Sequence, residues 1–199
     1  MDFGCAAYCQ HAEQCLGGLP PELAARNENL LKDRVAVEVK RYLKTDFKRI
    51  GRAMRVARHA ERIGRQAQAD LGVVLPAAYL LDIGAAEAER QSGENENGAS
   101  RPSAALEILV KAGASEALIA KICQVISRRC RSGVDDDLET RVVQDAARLE
   151  HLLSMMKAEP AGLRKTAEDI ESSFRTAGGR EMAEELLSGT RRYKQGSAK

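Results

Sequence analysis

Apolar residues recur along most of the chain at three- and four-residue spacings, the period of helices that bury one face. No segment keeps the strict alternation of a half-buried strand, and no internal repeat is present. The pattern predicts a helix from near Glu22 to about Lys44, after the break Gly17-Gly18-Leu19-Pro20-Pro21. A second helix is expected over about Asp46 to Ala69, with Asp46 as N-cap, and a third over about Val73 to Arg90. The stretch from Gln91 to Pro102 is polar, glycine-bearing and closed by proline, and reads as an exposed loop. Ser103 to Ala112 and Ser115 to Arg131 form a helix pair joined at Gly113. Asp135, Asp136 and Asp137 place negative charge at the start of a helix that reaches about Ala158 and stops at Pro160. Two further helices are expected over about 161–174 and 179–188, divided by Gly178-Gly179, before a frayed basic tail from Arg191 to Lys199. The expected fold is all-α.

Composition agrees with that reading. Of 199 residues 44% are apolar, enough for a core, while aromatics are only 4% and tryptophan is absent, which disfavours a β-sandwich. The length suits one domain with extensions: a cysteine-bearing segment over 1–19, a helical domain over 20–158, a C-terminal helical extension over 159–190 and a flexible tail over 191–199. The net charge of +2 is too small to make the whole chain a binder of nucleic acid or membrane surface. Leu71 to Leu81, the longest mainly apolar run, falls short of the roughly 20 residues a membrane helix needs. The first residues lack the basic and apolar regions of a secretory signal, so a cytoplasmic protein is expected.

Charge is unevenly placed. From Arg41 to Arg65 there are nine Lys/Arg against two Asp/Glu. On a helix, Ala53, Val56, Ala57, Ala60, Ile63 and Ala67 form one buried face, and Arg58, Arg62 and Arg65 lie opposite it in solvent. Arg52 falls about 70° from the centre of that face, on a flank from which it can reach a pocket. Two aspartates interrupt apolar surroundings: Asp82 after Tyr79-Leu80-Leu81, and Asp145 beside the stripe of Val142, Ala146, Leu149 and Leu153. A buried carboxylate needs a cation or several hydrogen bonds. The two could converge on one cation, or each could pair locally with an arginine or cap a helix.

Three stretches together resemble the HD-domain superfamily of metal-dependent phosphohydrolases. They are Arg49-Ile50-Gly51-Arg52-Ala53-Met54-Arg55-Val56-Ala57, Ala77-Ala78-Tyr79-Leu80-Leu81-Asp82-Ile83-Gly84, and Asp145-Ala146-Ala147-Arg148-Leu149. The family pattern is a histidine three residues before an Arg-Val pair, a His-Asp doublet before Ile-Gly, and an aspartate opening Asp-Ala-x-x-Leu. The resemblance spans about residues 45–155 and implies a compact helical bundle with a metal site between helices. Phe174 to Ala183 is similar to a terminal segment of some small bacterial members.

Against that pattern this chain holds Arg52 where the first histidine belongs and Leu81 where the doublet histidine belongs. Ser127-Arg128-Arg129-Cys130-Arg131 stands where some members carry further histidines. Only Asp82 and Asp145 keep the ligand type. A guanidinium repels a metal and leucine cannot ligate one, so the resemblance implies a catalytically degenerate member that binds a ligand or partner. Arg52 is expected to occupy the former metal site and neutralise Asp82, Asp145 or both. In a variant of this reading, Arg52, Arg128 and Arg129 form a site for a phosphorylated ligand. The alternative is an active phosphohydrolase that holds Mg²⁺ or Mn²⁺ on Asp82 and Asp145. His59, near the outer face, and His151, beyond Asp145, are expected to be surface or structural residues.

The first segment offers a different chemistry. Cys5, Cys9 and Cys15, with His11 among them, have the donor types for Zn²⁺ or an iron–sulfur cluster, which would make the chain a metal or redox sensor. The other reading is a short helix of reduced cysteines. Nothing in the sequence determines the oligomeric state.

Overall fold

The computed structural model describes residues 21–83, 103–128, 136–158 and 172–196. Among them are seven helices and no strand: α1 (Pro21–Leu43), α2 (Phe47–Ala67), α3 (Leu71–Leu80), α4 (Ala104–Lys111), α5 (Glu116–Ser127), α6 (Leu138–Ala158) and α7 (Ala177–Gly196). The all-α architecture expected from the spacing is the architecture found.

Local chemistry starts these helices where the sequence suggests. Asp46 caps α2 by accepting from Arg49 N at 2.9 Å, and Ser103 and Ser115 cap α4 and α5 through the amides of Leu106 and Leu118. Asp137 accepts from Thr140 N at 2.8 Å at the start of α6. Gly113, between α4 and α5, has φ +79, a conformation open to glycine at no steric cost.

The short helix α3 forms the centre. Val73, Val74, Leu75, Pro76, Ala77, Ala78 and Leu80 are all buried, because α1, α2, α5 and α6 pack around it. A helix apolar on every side can be stable only in such a position. Helix α2 buries Ala53, Val56, Ala57, Ala60 and Ile63 against α3 and α6, as its wheel predicts; Ala67 is only partly buried. Helix α7 lies on α6 and α2.

Three boundaries differ from expectation. The third helix was expected to run unbroken to Arg90, but it ends at Leu80 and the chain turns at Leu81 and Asp82. The apolar run gives no sign of a stop there, whereas the turn sets the Asp82 carboxylate against α2. The fifth helix ends at Ser127 rather than Arg131, with Arg128 as its C-cap. The Gly178-Gly179 pair does not divide two helices: it lies in the first turn of α7, which continues to Gly196 through part of the expected tail. The break falls earlier, at Phe174 to Thr176.

Candidate functional site

Helix α2 presents Arg52, Arg55 and His59 along one flank, at spacings of one and two turns. Arg52 Nη1 lies 3.4 Å from Asp82 Oδ1, and the Asp82 side chain is 5% exposed. The basic flank residue and the aspartate after α3 are therefore brought together. The other oxygen, Asp82 Oδ2, has no hydrogen-bond partner.

Asp145 has a different set of partners. It is fully buried on α6, and Arg148, one turn on, donates to Oδ1 at 3.0 Å. The Arg175 backbone N–H reaches Oδ1 and Oδ2 at 3.2 and 3.0 Å, while Thr176 donates to Oδ2 from its N–H and its hydroxyl, both at 2.7 Å. Thr176 Oγ1 in turn accepts from Gly179 N at 3.0 Å and so caps α7. A carboxylate beneath a helix N-terminus also meets the favourable end of the helix dipole. Asp145 thus anchors the last helix. Of the two readings, one shared cation or separate pairing, the described residues show separate pairing: Asp82 with Arg52, and Asp145 with Arg148, Arg175 and Thr176.

Several polar residues of this region were not singled out from sequence. Glu150 is 3% exposed; Arg55 donates to its Oε1 from Nε at 2.8 Å and approaches with Nη2 at 2.7 Å. Its Oε2 lies 3.9 Å from His59 Nε2 and has no hydrogen-bond partner. His59 was expected near the outer face but is mostly buried against Glu150. Burial lowers its pKa; Glu150 opposes that effect, and Arg58, Arg55 and Arg62 add to it. Asp136 is also buried and accepts from Arg175 Nη1 at 2.7 Å and from Gln144 Nε2 at 3.3 Å. The signal for Glu150 was available: it lies four residues after Ala146, on the buried stripe of α6.

Arg128 pairs with Asp137 at 3.6 Å, as Arg52 does with Asp82 at 3.4 Å. Arg129, Cys130, Cys5, Cys9, His11 and Cys15 lie outside the described residues.

Two cavities beside α6 share the lining residues Arg148 and His151. One, of about 210 Å³, has Leu81, Val125, Val143 and Ala147 as apolar lining and Gln144, Arg148 and His151 as polar lining. The second, of about 410 Å³, shares Arg148 and His151 and adds Phe174 and Arg175. Leu81, next to Asp82, is therefore part of a cavity wall.

No family model matches the chain, and no curated protein does. Among solved structures it is similar to the crystal structure of selenomethionine-substituted YpgQ from Bacillus subtilis, with a TM-score of 0.57 and 23% identity, over 85% of this chain and 93% of that one. The likeness shows the fold.

The side chains around Asp82 and Asp145 do not fit a divalent cation. Leu81 has no ligating atom, Arg52 brings a fixed positive charge to Asp82, and N–H and O–H donors occupy both oxygens of Asp145. Among the described residues no three His, Cys, Asp or Glu side chains are grouped to hold a metal ion.

Proposed function

We propose that the chain is a catalytically degenerate HD-like domain that acts as a ligand-binding module. One observation carries the reading: each carboxylate that the HD pattern would assign to a metal is engaged by the protein itself, Asp82 at one oxygen by Arg52 and Asp145 at both by Arg148, Arg175 and Thr176. Arginine–carboxylate pairing and N–H donation satisfy a buried charge without a metal. The cavity walled by Leu81 is then space for a ligand rather than for a hydrated ion.

A screen of nucleotides and simple phosphoesters with Mg²⁺, Mn²⁺, Zn²⁺ and Co²⁺ tests the reading. The expected result is no hydrolysis above the uncatalysed rate with any ion. Metal-dependent turnover that disappears in Asp82→Ala would overturn it in favour of an active phosphohydrolase.

A further inference from the structure

We propose that the double cavity beside α6 binds an amphipathic organic anion, with its apolar body against Leu81, Val125, Val143 and Ala147 and its charged head beside Arg148, His151 and Arg175. This deepens the ligand-binding reading and rests on it.

Volume, polarity and charge all support the assignment. The apolar compartment of about 210 Å³ exceeds the roughly 150 Å³ that suffices elsewhere to hold benzene in an apolar cavity. Among the described residues, neither cavity has an acidic side chain in its lining, whereas two arginines and a histidine line them. The carboxylates that accompany these arginines, Asp145 and Asp136, are buried behind them, at 0% and 4% side-chain exposure. The Arg148 and Arg175 side chains are themselves 31% and 27% exposed. A carboxylate and a phosphate monoester share the required head-group chemistry.

Octanoate and octyl phosphate are suitable probes, with octanol and inorganic phosphate as the two halves. Calorimetric titration of the full chain should show both octyl anions binding, and each half binding at least about tenfold more weakly. The relative affinity of the two anions identifies the preferred head group. Ala147→Phe, which fills the apolar compartment, should weaken the octyl anions about tenfold, and His151→Glu, on an exposed position at the shared wall, about threefold. The second variant keeps the test decisive should the first fold poorly. Octanol binding as tightly as octanoate, no octyl anion binding at all, or unchanged affinity in His151→Glu would overturn the assignment. None of those results would bring back hydrolysis, and metal-dependent hydrolysis would remove the degenerate reading without emptying the cleft, so the two failures are distinguishable.

Discussion

Glu150 places a carboxylate at 3% exposure with one oxygen held by Arg55 and the other unpartnered, 3.9 Å from His59. Removing Arg55 leaves that charge buried without its main donor. Arg55→Met should cost about 1–3 kcal/mol, less than a fully buried pair because the Arg55 side chain is 44% exposed. The double variant Arg55→Met/Glu150→Leu should recover much of the loss in urea unfolding. A double variant as unstable as the single one would show that charge burial is not the cause. His59 adds a pH dependence. Burial holds its folded pKa below the ordinary value of about 6.5, so the unfolded chain binds the proton more readily. Its contribution to stability is therefore complete above about pH 6.5 and is lost as pH falls through the folded pKa. His59→Gln should flatten the fall of stability as pH drops below about 6.5.

At the scale of the element, α7 shows why two adjacent glycines need not be equivalent. A Cβ at Gly179 would stand 2.6 Å from Asp145 Oδ2 and 2.9 Å from Thr176 Oγ1, both fixed in the anchor of the helix. A Cβ at Gly178 would meet Gln66 Oε1 at 2.5 Å, the end of an exposed side chain that can swing away. Gly179→Ala should therefore destabilise by about 1–3 kcal/mol, while Gly178→Ala should be neutral or stabilise by up to about 1 kcal/mol through helix propensity. Thermal melts of the two variants decide this; equal losses would discard the anchor as the reason. Asp145→Ala should leave the Thr176 and Arg175 donors unmatched and raise hydrogen exchange selectively at the start of α7. Most helix starts were legible because an Asp or Ser cap is a local device, as at Asp46, Ser103 and Ser115. The start of α7 was not, because Gly178-Gly179 has the local signature of a break and the carboxylate that makes it a helix lies about 30 residues away.

At the scale of the molecule, the arrangement around α3 ties Arg52, Asp82, Asp145 and the cavity walls to one core, with Leu81 and Asp82 directly after α3. If Arg52 and the donors on Asp145 take the place of a metal, added Mg²⁺ or Mn²⁺ should shift the melting temperature by less than about 1 °C, since an ion stabilises only by binding the folded state. A larger, saturable rise lost in Asp82→Asn would point to a cation on Asp82 Oδ2. No helix among the described residues is long and apolar enough to cross a membrane.

The sequence by itself determined the all-α class, the capped helix starts and the buried face of α2, because each rests on spacing or residue type within a few turns. It also put Arg52 on a flank from which it could meet a carboxylate. Which carboxylate it met, the commitment of Asp145 to the last helix, the burial of Glu150 beside His59 and the double cavity were decided by tertiary structure alone. Their partners are separated by 30 to 95 positions along the chain, and periodicity says which face of a helix is buried but not which residue of another helix lies across from it.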